Sequence, residues 1–153
     1  MEREADLREQ IMNEYRDEVE KYLKYIPWLQ QKAGEKVLST YSGDGISEHS
    51  VKIPVYDSMV LGFVKELSKS KFMDRNYPYV YSRNGIRTIQ DERRMIQKTG
   101  IRDMGILCGI LSKYVLGGMT KGVLWGIAVE EGIFLAVLLK MKEIMEFWDK
   151  PLA

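Results

Sequence analysis

The chain has 153 residues, a length that suits one domain, because two halves of it would each bury only a marginal core. Apolar residues make up 45% of the chain and charged residues 29%, the balance of an ordinary globular protein, which argues against a wholly disordered chain. The formal net charge is only +1, so the molecule as a whole is not built as a polyelectrolyte.

The sequence also bears on the cellular compartment. The single cysteine, Cys108, excludes an internal disulfide and fits a reducing compartment. Residues 1–20 are rich in charge and lack the apolar stretch of a secretory signal. The longest unbroken apolar run, Ile133–Leu139, has seven residues, far below the roughly 20 that a spanning helix needs. We expect a soluble, cytoplasmic protein with no membrane partner.

The first predicted element is an amphipathic helix. Between Leu7 and Ile26, apolar residues recur every three or four positions, with charged residues between them. We expect Pro27 to end or kink this helix, because proline has no N–H to donate and clashes with the preceding turn. A short turn then closes at Gly34. The apolar stripe consists of Leu7, Ile11, Tyr15, Val19, Tyr22, Leu23 and Ile26.

Residues 35–57 have a β-like composition. In Val37–Tyr41 and Val51–Tyr56, β-branched and aromatic residues flank a glycine-rich stretch, Ser42–Gly45. This pattern predicts a small β-hairpin near residues 37–56. Because an isolated hairpin is only marginally stable, it would have to pack on the helices.

Two further helices are predicted in the middle of the chain, with a structured loop between them. Asp57 or Ser58 caps the first helix. Residues 72–87 fit neither the helical nor the strand period and contain Pro78 and an Asn-Gly turn signal, so they predict the loop. Thr88 and Asp91 form a variant capping box that opens the second helix, which ends near residue 100. The apolar positions of the first helix are Val60, Leu61, Val64 and Leu67.

The C-terminal part predicts three helices. Asp103–Leu116 is the first, and Thr120 caps a second that runs to Glu131. Gly132 breaks the chain before Ile133–Trp148, the most hydrophobic helix, which we expect at the centre of the core. The inner residues of the first helix are Leu107, Ile110, Leu111, Tyr114 and Val115.

These elements predict a mainly α fold, a compact domain of about five to six helices with a possible small β-hairpin near residues 37–56. Residues 1–34 hold the N-terminal helix and turn, residues 35–57 the hairpin, and residues 58–153 the helical core. At least half of the residues are expected in helix.

Side chains that carry catalysis or bind metals are scarce. Nucleophilic catalysis would need His49, the only histidine, as base, yet His49 lies in a polar stretch and Cys108 in an apolar helix. One histidine and one cysteine also fall short of the four ligands of a structural zinc site. Glu130 and Glu131 point about 100° apart on a helix, so they do not converge by themselves. We therefore predict no catalytic residue, no metal and no cofactor.

A glycine-rich stretch, Gly117–Gly122, precedes a predicted helix and has two interpretations. Backbone N–H groups at a helix start attract anions, which suggests a phosphate cradle. The order Thr-Lys-Gly differs from the Gly-Lys-Ser/Thr of a P-loop, however, and no strand precedes it. A close helix–helix connection, with glycines at a spacing of four, is the interpretation we favour.

Charge is unevenly distributed along the chain. Residues 1–20 carry eight acidic and three basic side chains, whereas residues 65–102 carry ten basic and four acidic ones. Within the second region, aromatic residues alternate with arginines in residues 72–87, and the next helix adds Arg93, Arg94 and Lys98; we call residues 72–102 the basic-aromatic segment. Tyrosines stack on bases, arginines pair with phosphate or carboxylate, and both residue types are enriched in interface hot spots. The predicted partner-binding residues are Arg75, Tyr77, Tyr79, Tyr81, Arg83, Arg87, Arg93 and Arg94.

A structural alternative stays open for the same segment. Its tyrosines would pack on the core as loop anchors, while its arginines would pair with the acidic first helix. In that case the segment is ordinary folded surface rather than a binding site.

Two runs, Phe72–Tyr81 and Ile110–Gly118, and the closing helix resemble small uncharacterised proteins of gut Firmicutes and their mobile elements. The resemblance implies a bacterial or mobile-element origin and no particular activity. Small proteins of that kind often block larger machines, as anti-CRISPR proteins do. We therefore expect a non-enzymatic protein-binding inhibitor directed at a nucleic-acid-binding complex. A direct DNA or RNA binder that uses residues 72–102, and an enzyme with an unfamiliar site, remain the alternatives.

Overall fold

The computed structural model describes the backbone of residues 2–34, 38–41, 53–56 and 58–149, and the side chains of residues 6–34 and 58–147. Within these ranges most residues are helical, which confirms the predicted mainly α fold. The helices are α1 (Glu2–Tyr22), α2 (Ile26–Lys32), α3 (Ser58–Ser68), α4 (Tyr77–Arg83), α5 (Ile89–Lys98), α6 (Met104–Gly117), α7 (Val123–Glu130) and α8 (Ile133–Asp149). The strands are β1 (Leu38–Tyr41) and β2 (Ile53–Tyr56).

At the N-terminus, α1 continues through a 3₁₀ turn directly into α2. Pro27 lies in the first turn of α2, where a helix makes no use of the missing N–H, so the proline starts a helix rather than only ending one. The expected short turn is therefore helical, and Gly34 follows it with φ of +83°. The inner face of α1 and α2 buries Met12, Val19, Tyr22, Ile26 and Leu29, whereas Leu7 of the predicted stripe is exposed.

The two strands pair in antiparallel fashion, as the sequence pattern predicts. In the register, Leu38 lies opposite Tyr56 and Tyr41 opposite Ile53. The predicted glycine-rich turn and His49 lie outside the described residues.

Helix α8 is at the centre of the core, as predicted. It packs against α1, α2, α5, α6 and α7. Its inner face has no solvent exposure at Ile133, Phe134, Val137, Leu138 and Met141, and burying such side chains is the main source of folding free energy. The side chain of Trp148 lies outside the described residues.

Two details differ from the sequence-based expectations. Leu61 is exposed and Phe63 is buried instead, because α3 turns its Val60, Phe63, Val64 and Leu67 face inward. Thr120 does not cap α7, since its hydroxyl donates to the carbonyl of Gly117 at 3.2 Å and α7 begins only at Val123.

The inner residues of α6 are all buried, as expected. No helix among the described residues is long and apolar enough to cross a membrane.

Candidate interaction surface

The predicted loop at residues 72–87 contains a short helix, α4, so the loop assignment is wrong for its central part. Pro78 lies in the first turn of α4, a position where its fixed φ suits a helix and its lack of an N–H costs nothing. Pro78 therefore initiates a helix instead of marking a loop.

Close packing holds α4 on α6. Val80 of α4 lies over Gly109 of α6, where a Cβ atom would come within 2.7 Å of the Val80 side chain. The segment before α4 is anchored by Ser112, which is fully buried on α6. Its hydroxyl accepts from the N–H of Asp74 at 2.7 Å and donates to the carbonyl of Cys108 at 2.7 Å. Two contacts with α6, one within α4 and one just before it, thus fix the position of α4.

The predicted capping box at the start of α5 is confirmed. The Thr88 hydroxyl accepts from the N–H of Asp91 at 3.1 Å, and the Asp91 carboxylate accepts from the N–H of Thr88 at 3.2 Å. The same carboxylate accepts from the backbone N–H of Arg87 at 3.0 Å, and chiefly this bond lowers the pKa of Asp91. The box fixes the direction in which the chain passes from α4 into α5.

Behind α4 lies a buried carboxylate that the sequence did not single out. Glu92 of α5 has no solvent exposure. One of its oxygens accepts from the hydroxyl of Tyr81 at 2.5 Å and from the ammonium of Lys113 at 3.2 Å. The other accepts from the hydroxyl of Tyr114 at 2.6 Å. We call these four residues the Glu92 cluster, and they join α4, α5 and α6.

The electrostatics of the Glu92 cluster keep its hydroxyls protonated. Burial and, after it, the Glu92 carboxylate raise the pKa of Tyr81 and of Tyr114 far above the usual value near 10. The ammonium of Lys113 lies over both rings, 5.0 Å from the centroid of Tyr81 and 4.7 Å from that of Tyr114, in cation–π contact. The cluster therefore satisfies a buried charge with three donors, as buried charges require.

The three tyrosines of α4 do not share a face. Their spacing of two would align them on a strand, but on a helix it turns neighbours about 200° apart. Tyr77 and Tyr81 line one side of α4, while Tyr79 is 54% exposed on another. Tyr81, whose hydroxyl is engaged by Glu92, is thus a structural anchor as well as a groove residue.

Helix α4 separates two open grooves. The first, about 470 Å³ in volume, we call the lysine groove because Lys113 forms part of its lining. The second, about 390 Å³, holds Tyr79 and Arg83 on the other side of the helix. The lysine groove is lined by Tyr77, Pro78, Tyr81, Ser82, Gly85, Ile86, Arg87 and Lys113.

The predicted arginines fall into two groups. Arg75, Arg83 and Arg87 are exposed, and none pairs with an acidic side chain among the described residues. Arg93 instead pairs with the Glu131 carboxylate at 2.8 Å and also donates to the Glu131 carbonyl, and Arg94 pairs with Asp91 at 3.3 Å.

The structural alternative is therefore right about Tyr81, which is anchored. It does not hold for Arg93 and Arg94, whose carboxylate partners Glu131 and Asp91 lie outside the first helix.

The surroundings of Cys108 and of the glycine-rich stretch Gly117–Gly122 indicate structural roles. Burial raises the pKa of the Cys108 thiol to about 12, so it is not a thiolate nucleophile at neutral pH. The indole of Trp125 lies so close to Gly118 that a Cβ there would overlap it, and it donates to the carbonyl of Val115 at 3.1 Å. The glycine-rich stretch is thus a closely packed helix connection. Among the described residues, no three His, Cys, Asp or Glu side chains are grouped as metal ligands.

No protein-family model, curated protein or solved structure matches this chain. Function is therefore inferred from the geometry of the described residues. The exposed part of the predicted site, which we call the α4–α5 surface, consists of Arg75, Tyr79, Arg83, Arg87 and Arg94.

Proposed function

We propose that this chain is a non-enzymatic interaction protein that binds an acidic protein surface through the α4–α5 surface. In this proposal the partner belongs to a larger nucleic-acid-processing machine, which the bound chain inhibits, as an anti-defence protein of a phage or mobile element does. One observation carries the proposal: three exposed arginines without ion-pair partners among the described residues accompany an exposed tyrosine on and beside one short helix.

The rigidity of α4 supports a binding role. Arginine and tyrosine are the residue types that most often act as hot spots, and they bind best when little ordering is needed. Val80 on Gly109, the Ser112 bonds and the Glu92 cluster fix α4 before any partner arrives. An acidic partner would also associate faster, because opposite charges steer the encounter.

A protein partner is favoured over a nucleic acid by the number and distribution of free cations. Duplex binders commonly neutralise about 6–10 phosphates. The α4–α5 surface offers Arg75, Arg83 and Arg87, of which Arg83 and Arg87 line different grooves, and Arg94 is shared with Asp91. The resemblance to mobile-element proteins supports the choice of a host machine as partner.

The test is affinity capture from bacterial lysate, with and without nuclease treatment, with three forms of the chain. The first is the wild type, the second is Arg75→Ala with Arg83→Ala and Arg87→Ala, and the third is a control that removes three exposed lysines elsewhere. Because both variants lose the same charge, a general charge effect would weaken both equally. The control carries Lys65→Ala, Lys69→Ala and Lys121→Ala.

The expected result is a protein captured equally by the wild type and the lysine control, at least tenfold less by the folded arginine variant, and unaffected by nuclease. Capture that disappears with nuclease would favour direct DNA or RNA binding instead. Equal capture by all three forms would show that the α4–α5 surface is ordinary solvated surface.

A further inference from the structure

We infer that the lysine groove binds one acidic side chain of the partner, an aspartate or glutamate with an apolar neighbour. This inference rests on the proposed function and names the chemistry that the partner presents at that site. The cations, the apolar wall and the hydrogen-bond donors of the groove support it.

Two cations line the groove. Arg87 is exposed and pairs with no acidic side chain among the described residues. Lys113 gives one hydrogen bond to Glu92, and its side chain is 33% exposed. An ammonium has three N–H donors, so Lys113 keeps donors for a second carboxylate. A guanidinium adds a forked pair of donors that matches carboxylate geometry.

The position of Lys113 is set before binding. Its ammonium is held over the rings of Tyr81 and Tyr114 and against the Glu92 carboxylate. A long, flexible side chain that is already ordered loses little entropy when a ligand arrives. The Glu92 cluster thus acts as a support that presents one cation at the floor of the groove.

The remaining lining is largely apolar. The ring of Tyr77, the ring of Pro78 and the side chain of Ile86 form the wall beside the cations. A ligand that is only an anion would leave this wall in water, whereas an apolar neighbour would cover it and bury apolar surface. The volume of about 470 Å³ has room for both groups.

A carboxylate fits this lining better than a phosphate. A phosphate monoester carries roughly −1.5 to −2 charge and three strong acceptors, and it commonly binds to free backbone N–H groups at a helix start. The first turn of α4 contains Pro78, which has no N–H. One of the two cations is also shared with Glu92, which leaves a charge balance suited to a single negative charge.

The experiment is an NMR titration of the whole isotope-labelled chain with N-acetyl-leucyl-glutamate amide. The matched probes are its glutamine analogue and inorganic phosphate. We expect the glutamate probe to shift the signals of Tyr77, Ile86 and Lys113, with about tenfold weaker binding of the glutamine analogue. Arg87→Ala should weaken the glutamate probe about tenfold, and Ser82→Trp should block it by filling the groove. Lys121→Ala, at an exposed lysine outside the groove, should leave it unchanged.

Equal binding of the glutamine analogue, or no shift at these residues, would overturn the inference, and so would preferential binding of phosphate. The outcome is distinguishable from failure of the proposed function. If capture of the partner depends on the arginines while the glutamate probe does not bind, the proposed function stands and this inference is wrong. If the probe binds but capture is the same in all forms, the groove is a carboxylate site and the proposed function is wrong.

Discussion

The residue that most shapes the candidate site is Glu92, a carboxylate without solvent exposure. Its two oxygens receive two hydroxyls and one ammonium from three different parts of the fold. Removing any donor leaves part of a buried charge unsatisfied, and removing Glu92 leaves its donors without an acceptor. Such clusters are sensitive to single substitutions.

Glu92→Ala is expected to lower the free energy of unfolding by about 3–5 kcal/mol, since it breaks a buried charge pair and leaves a cavity. Urea denaturation followed by circular dichroism measures this change. Glu146→Ala, at an exposed position on α8, is the control and should change stability by less than about 0.5 kcal/mol. A similar small effect at residue 92 would show that the cluster does not stabilise the fold.

Stability should also fall at alkaline pH. Burial and the bond to Glu92 raise the pKa of Tyr114 in the folded chain, so the unfolded chain releases this proton first, near pH 10. The contribution of Tyr114 is therefore present in full below about pH 10 and is lost as pH rises beyond it, by about 1.4 kcal/mol per pH unit. Tyr114→Phe should make the dependence of unfolding free energy on pH between 10 and 11 shallower. An unchanged slope would contradict the assignment.

The burial of Glu92 is difficult to predict from the sequence. Its neighbours Asp91, Arg93 and Arg94 are polar, so the start of α5 has the composition of a solvated face. The one available signal is its spacing from Ile89 and Ile96, which places it on the inner side of the helix. The donors that bind Glu92 come from α4 and α6. A local sequence pattern around residue 92 therefore cannot identify them.

At the scale of elements, the local sequence pattern of the short helix α4 predicted a loop where the structure has a helix. Its tyrosines alternate as in a strand, and its proline is a common loop signal. Tertiary packing of Val80 on Gly109 and the hydroxyl of Tyr81 on Glu92 make the segment helical. Capping residues, by contrast, act within four positions of each other, and the box at Thr88 was predictable for that reason.

Gly109→Ala should destabilise the chain by about 1–3 kcal/mol, because the added methyl group overlaps Val80 and pushes α4 away from α6. Val80→Ala in the same chain should recover part of this loss by making room, a coupling that a double-mutant cycle in urea measures. Gly105→Ala, in the same helix but with nothing within 4 Å, is the control and should be neutral or slightly stabilising. Equal effects at the two glycines would argue against tight docking of α4.

Thr88→Ala should cost about 1 kcal/mol, the usual contribution of an N-cap hydroxyl. The matched control is Thr120→Ala, since Thr120 does not cap α7 and its hydroxyl bonds only to the turn carbonyl of Gly117. Thermal or urea unfolding of both variants compares the two threonines. A larger loss at residue 120 would contradict the assignment of the caps.

At the scale of the whole molecule, the acidic N-terminal helix and the basic-aromatic segment differ in charge, as the sequence predicted. The structure adds which cations are free. Sequence spacing alone treats Arg83, Arg87, Arg93 and Arg94 as equivalent, but the fold pairs the last two with carboxylates and leaves the first two exposed. The α4–α5 surface is therefore smaller than the predicted site.

The central claim, that the partner contacts the α4–α5 surface, is tested most directly by site-specific photo-crosslinking in cells. A photoreactive benzoyl-phenylalanine replaces Tyr79 in one form and, in the control, Phe147 of α8, both of which are exposed. We predict one discrete crosslinked protein from position 79, lost when Arg83→Ala and Arg87→Ala are added, and no such product from position 147. Discrete crosslinking from position 147 but not from position 79 would contradict the claim.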